Sequence, residues 1–470
     1  MSAFTPRRPF SRRSLLKSSG AMALGASLPL STRMAIQAAA QESTPTRNIA
    51  GTELKILQWS HFVPSYDTWF DEFAMAWGEA NDVQVTVDHV NTAEIPTALA
   101  GEISAGEGHD LIEHISSLAQ YERSMLDLTD VVMEASKRHG EQLAMCKNNS
   151  FNPTSNVYYG FVHGYAPDPG DYRKSLWESV ELPNGPSTYD ELLDGGSRIW
   201  TEQGVQMGIG MSNEIDSRMA AQTIIWAHGG GIQDANENVT VNTPEVIAAI
   251  EYMANLFKGA MTEEVFGWDA ASNNQLLIAG QASYILNSIS AYRTAQADQP
   301  DVAADVFFTR PLIGPAGEAA ALAHGHAVFN YQIPNHSQYS DTAKEFLLYL
   351  TDNYDQATDN SKLYNFPAFA NLVPDLTKDG GWLDADPYGS EPPDKLNVLK
   401  TAVDWTTNLG YPGPANAAIG EVFSLPIIPN MMARAARGDQ TAAESAAEAE
   451  TEITEIFEKW KAEGLMGGGQ

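Results

Sequence analysis

The chain is nearly without cysteine, short of basic residues and without a long apolar run, and each shortage excludes something. Cys146 is the only cysteine in 470 residues. An intramolecular disulfide is therefore impossible, and zinc sites built on two or four cysteines are excluded. No cysteine stands near residue 41, so a bacterial lipoprotein's acylation site is missing there. Lys and Arg number 28 against 60 Asp and Glu, for a net charge of −32. So acidic a surface argues against nucleic acid and anionic lipid as partners and suits a monomer in solution. The apolar run Ala21 to Leu30 is ten residues, about half of the roughly 20 that a spanning helix needs. A P-loop, an H-E-x-x-H pair and a nucleophile elbow are missing too, which removes the commonest sequence signatures of catalysis.

The N-terminus is informative for what it holds. Ser11-Arg12-Arg13-Ser14-Leu15-Leu16-Lys17 sets paired arginines directly before the apolar run. Ala38-Ala39-Ala40 then offers a small-residue cleavage site before Gln41. The order of charge, apolar run and cleavage site reads as a twin-arginine export signal over residues 1–40. Proteins on that route resemble one another in crossing the membrane already folded. The chain beyond residue 40 carries a net charge near −38, because the first 40 residues hold six basic and no acidic groups. Its 430 residues suffice for two or three domains at about 150 residues each.

Periodicity predicts an α/β protein. Leu54 to Trp59 has strand composition, and Phe70, Phe73, Ala74 and Trp77 share one helical face. Val83, Val85 and Val87 alternate with polar residues, Pro96 opens a helix, and Leu111-Ile112 begins a third strand. This strand–helix alternation implies a parallel sheet with right-handed crossovers. A second such region runs from a crossing strand at Tyr158–Val162 to a strand ending at Leu286, and includes the capped helix at Thr243-Pro244. From Phe366 onward the chain reads as mostly helical, ending in an Ala/Glu-rich helix and a glycine tail over residues 465–470. Residues 41–52 read as a loose polar leader.

Ligands of open α/β sheets sit at the carboxyl ends of strands. That rule selects Trp59, His61 and Tyr66 after the first strand, Glu113, His114 and Ser117 after the third, and Asn287, Ser290 and Tyr292 after the strand ending at Leu286. A lone tryptophan is by default core, and Trp226 on its apolar helix fits that default. Gly229-Gly230-Gly231 follows a helix and so reads as a C-cap, not a phosphate cradle. His324-Gly325-His326 could place two imidazoles on one strand, but a third metal ligand is not evident. No metal, cofactor or catalytic residue is expected.

Several segments together resemble a known family. Trp226-Ala227-His228-Gly229-Gly230-Gly231-Ile232, Val239 to Glu245 and Ala248-Ala249-Ile250 are followed by Gly280-Gln281-Ala282-Ser283-Tyr284, Pro311 to Gly317 and Ala343-Lys344-Glu345-Phe346-Leu347. With Ala105 to Leu111, these resemble, in order, the family 1 extracellular solute-binding proteins of ABC importers, the sugar-binding group that includes maltose-binding protein. His109 departs from the pattern, where the family usually has proline. The resemblance implies a two-lobed periplasmic-binding-protein-like fold joined by crossing hinge segments. Lobe 1 would take residues 41–160 and 306–355, and lobe 2 residues 161–305 and 356–464. It implies a sugar or oligosaccharide in the interlobe cleft, hinge closure and permease subunits as partners. It adds Asp216, Arg218, Tyr364, Asn365, Tyr411 and Glu421 to the ligand-binding candidates. The expected location is the periplasm or the outer face of the cytoplasmic membrane, without a lipoprotein anchor. Two rivals stay open: the same fold with a polyamine, polyol phosphate or peptide, and a secreted carbohydrate-active enzyme with paired carboxylates.

Overall fold

In the computed structural model, residues 28–42 and 44–467 are described. The paired arginines and Gly468-Gly469 lie outside them. Two sheets organise the chain. β1 (Thr52–Trp59), β2 (Val83–Val90) and β3 (Leu111–His114) run parallel, connected by α2 (Ser65–Ala80) and α3 (Ile95–Ala105). α1 (Leu30–Glu42) precedes them, and α4 (Thr129–His139) follows. Gly106 ends α3 at φ +71, the left-handed conformation glycine adopts without Cβ strain.

β4 (Phe161–Pro167) lies in the first sheet and passes straight to β5 (Gly170–Arg173) in the second. The second lobe adds α5 (Tyr189–Gln203), β6 (Gln206–Gly208), α6 (Ile215–Ala227), α7 (Pro244–Ala260) and β7 (Ala282–Leu286). After α8 (Ser290–Asp298) and β8 (Val306–Thr309), the chain returns as β9 (Ala323–Gln332), antiparallel to β3 and β4. α9 (Ser340–Asp352), β10 (Phe366–Pro367) and β11 (Thr406–Thr407) follow, then α10 (Ala417–Ser424), α11 (Ile427–Arg437) and α12 (Ala442–Ala462). The first sheet has seven strands in the order β10-β4-β9-β3-β1-β2, with β11 also on β9; the second has four, β8-β5-β7-β6.

Four expectations shift. The second lobe was expected to open at residue 161, but β4 belongs to the first sheet, as do β10 and β11 from the stretch 356–464. The reason is that β4 and β9 supply the ladder partners those short strands need. The crossing strand begins at Phe161, because Val157–Tyr158 is instead half of a small hairpin with Phe151–Asn152. Between Phe366 and Asn416 the chain is mostly turns and short helices; Pro374, Gly380, Gly381, Pro387, Pro392 and Pro393 break any longer helix. The leader and tail are held as well. The Thr46 and Arg47 amides donate to Glu345 at 3.1 Å each, and Arg47 Nη1 reaches the same carboxylate at 2.8 Å. Leu465 and Met466 are buried.

Among the described residues no helix is long and apolar enough to cross a membrane. Cys146 is a buried free thiol.

Candidate functional site

The carboxyl ends of β1, β3 and β7 face one another across the seam between the sheets, where the crossing segments also pass. His61 follows β1. Its Nδ1 accepts the Val63 amide at 2.9 Å, so Nε2 carries the proton and donates to Asn365 Oδ1 at 2.9 Å. Burial pushes His61 down to about 3, so the ring is neutral. It stacks on Tyr66 at 4.4 Å and Trp59 at 4.8 Å and meets the Tyr364 edge at 5.1 Å. Phe62, partly exposed, completes this aromatic wall against Trp59, Tyr364 and His326.

From the second lobe, Asp216 accepts the Asn273 and Asn287 amides at 2.8 and 3.1 Å. Glu214 caps α6 by accepting the Asp216 and Ser217 amides at 2.7 and 2.6 Å. Burial raises both carboxyls, and each sits among further negative charge. Between the lobes, Asp168 stands in Pro167-Asp168-Pro169, the link from β4 to β5, and meets His326 Nδ1 at 3.2 Å. Burial alone would lower His326, but Asp168 overrides it and raises the imidazole. The Tyr364 phenol, raised by burial, faces Asp216, Asp168 and Ser288.

The structure therefore gathers His61, Tyr364, Asn365, Asp216 and Asn287 into one connected cluster. Ser290 presents a buried hydroxyl and Asn365 a buried Nδ2 amide without a protein partner, whereas Ser117 is buried beside the Tyr159 phenol. Trp59, Tyr66 and Tyr364 have essentially no exposed surface and stand behind Phe62, the partly exposed ring of the wall. His114 turns its Nδ1 to the Ser116 amide and hydroxyl at 3.0 and 2.8 Å, and burial holds it near 4. Glu113 points into the first lobe, where it bonds His163 Nε2 at 2.6 Å and Gln58, which in turn accepts Tyr331 at 2.7 Å. Tyr292 lies away from the cluster, with its hydroxyl on Ser390 at 2.8 Å. Glu421 faces the last helix, accepting Lys459 and Trp460 at 2.7 and 2.6 Å.

Sequence reasoning missed a second aromatic group. The His324 ring lies between Trp226 at 6.0 Å and Phe423 at 5.6 Å, nearly parallel to both. Arg218 rests over Phe423 at 5.8 Å, and Tyr411 meets Trp226 edge-on at 6.1 Å. A cavity of about 220 Å³ beside Tyr411, Tyr165 and Thr406 opens next to this stack. A larger one, about 720 Å³, lies on the flank of lobe 1 by Lys55 and Glu102, away from the converging strand ends. We place the site at the convergence, because strand ends from both lobes supply it with aromatic and polar groups together.

The His324 stack carries a pH prediction. Burial holds His324 near 4, against about 6.5 for a free imidazole. Its share of stability is whole above pH 6.5 and is lost as pH falls toward 4. Between pH 7 and pH 5, His324→Gln should lose about 2 kcal/mol less stability than the parent chain. Urea unfolding at the two pH values tests this, and equal losses would refute it.

Contacts across the seam hold the lobes together in this arrangement. Gly420 of α10 lies where a Cβ would come within 2.5 Å of Gln120 Oε1. Arg123 Nη1 pairs with Glu463 at 2.6 Å, and Asn152 donates to the Leu465 carbonyl at 3.1 Å.

Comparison with known proteins shows the fold and the family. Maltose-bound MalE3 of T. maritima superposes with a TM-score of 0.71 at 17% identity, covering 86% of this chain and 100% of that one. A sugar transporter from Arthrobacter chlorophenolicus A6 with bound laminaribiose gives 0.71 at 14% identity, over 86% and 99%. These likenesses show the two-lobed periplasmic-binding fold. A Deinococcus radiodurans protein named "Probable ABC transporter-binding protein" is 24% identical over 211 residues, 43% of this chain; the chain spans about half the length of that curated relative. The profile of bacterial extracellular solute-binding proteins matches residues 68–387, more than half of the chain. By that match and its fold, the chain belongs to the bacterial extracellular solute-binding protein family.

Proposed function

We propose that the protein is the exported receptor of an ABC importer and binds a sugar or oligosaccharide between its lobes. It would deliver that ligand, as a single chain and without chemical change, to permease subunits. The observation that carries this reading is the pairing of the partly exposed Phe62 ring, backed by His61 and Tyr364, with an amide, a hydroxyl and a carboxylate on the facing lobe (Asn287, Ser290, Asp216). A pyranose needs both: an apolar face to stack and partners for its hydroxyls. The structural neighbours that carry maltose and laminaribiose support it by analogy of fold. Protein donors already occupy both Glu214 oxygens and Asp216 Oδ2, which limits the carboxylate charge left for a cationic ligand. The Arg12-Arg13 signal supports export by the twin-arginine route.

Calorimetry against mono- and oligosaccharides, with polyols and polyamines alongside, tests the ligand class. Saturable sugar binding with no product is expected, and turnover of that sugar would refute the reading. Asp216→Asn should weaken binding by about 1.5–3 kcal/mol, the scale of a hydrogen bond to a charged group. Small-angle scattering should show a smaller radius at saturation.

A further inference from the structure

The small-residue processing site Ala38-Ala39-Ala40 lies inside α1. Ile36 and Ala40 keep 2% and 4% of their surface exposed, and Ile36 joins the first lobe's core, with Ala39 packed against it. α1 lies along α2, and Arg33 Nη2 reaches Glu72 at 3.0 Å. Downstream, Glu345 clamps Thr46 and Arg47 through the contacts described above. The Ala40–Gln41 bond therefore sits in a packed helix, with a buried residue on one side and an anchored chain on the other.

Proteases that cut between small residues take their substrate extended, with its backbone groups free to pair. A bond in a docked helix is cut only from a locally opened form, at a rate set by how often it opens. A chain that crosses the membrane folded would meet the peptidase with α1 already docked.

We propose that docking of α1 on the first lobe masks the Ala40–Gln41 bond, so that the exported protein keeps α1 uncleaved. The proposal rests on the export reading for its setting, but the masking itself is a property of the fold. It accounts for two observations at once: a processing site built into a core-forming helix, and a leader clamped by a buried carboxylate.

The test compares the purified full chain with a synthetic peptide of residues 30–46, each treated with bacterial signal peptidase in mild detergent and read by intact mass. The peptide should be cut after Ala40, and the full chain at least tenfold more slowly. Equal rates would overturn the proposal. So would a resistant peptide, since nothing would then need masking. Ile36→Asp removes the buried anchor and leaves the three alanines in place, so it should bring cleavage of the full chain toward the peptide's rate. No gain would mean that docking is not the cause. A chain lacking residues 28–40 should melt several degrees lower than one that has them, and equal melting would also count against docking. Export is scored separately by cell fractionation. Retention in the cytoplasm would refute the export reading and leave the cleavage comparison decisive.

Discussion

Arg293→Ala should cost about 3–5 kcal/mol of stability, the range for breaking one side of a buried ion pair. The guanidinium meets Asp386 at 2.7 and 3.0 Å, and the two side chains are 2% and 0% exposed. Nε also donates to the Lys362 carbonyl at 2.9 Å, and the ring planes of Tyr292 and Tyr388 flank the charge at 5.7 and 5.4 Å. Burial alone would raise the Asp386 carboxyl, but Arg293 overrides it and holds it below the ordinary range. Removing the arginine leaves that carboxylate uncompensated, whereas replacing both partners by apolar residues of similar volume should recover most of the loss. Urea unfolding of the single and double variants measures this; a loss under about 1 kcal/mol for the single change would refute it. The pair fastens the turn-rich stretch after Phe366 onto α8, the helix that follows the Asn287–Ser290 loop. Ligand binding should therefore weaken along with stability.

Trp59→Ala should destabilise by about 3–5 kcal/mol, the range for deleting a large core aromatic. Trp59 is fully buried, lies parallel to Phe329 at 6.1 Å, and meets Phe62 edge-on at 5.1 Å. If it were a stacking surface for ligand, alanine would abolish binding and leave unfolding unchanged. The structure predicts the opposite order: a large loss in denaturant midpoint, with binding weakened only through displacement of His61. Measuring both on one sample separates the two roles.

Much of the fold was legible because its signals are local. The i, i+3, i+4, i+7 spacing of Phe70, Phe73, Ala74 and Trp77 marks α2, and all four are buried. Thr243 caps its helix as expected, and Thr188 caps α5 in the same way. The strand-end rule selects His61, Asn287 and Ser290 of the proposed site, because a residue just beyond a parallel strand must leave the sheet at its carboxyl end. It could not find Asp168 with His326, which are 158 residues apart and meet only because two strands cross between lobes. The flanking prolines of Asp168 were the one visible clue to that crossing. Nor could it separate Ser290 from Tyr292. Two positions on a helix differ by about 200° in direction, so one faces the cleft and the other the ion pair behind it. Reading the stretch after Phe366 as helix weighed its apolar residues and neglected its prolines. Trp226 was assigned to core on its apolar helix; it is buried, yet its ring faces His324 across the seam, a distinction that hydrophobicity alone does not carry.

The last described residues run over the opposite lobe. Glu463 and Leu465 bond to Arg123 and Asn152 of the first lobe, while the Gly467 amide returns to Glu237 of the second at 2.7 Å. The stretch 463–467 thus touches both lobes and would register any change in how they sit. A single environment-sensitive dye placed after Gly467 would report lobe motion without touching any ligand contact, and a bulky fusion at the same place would act as a wedge.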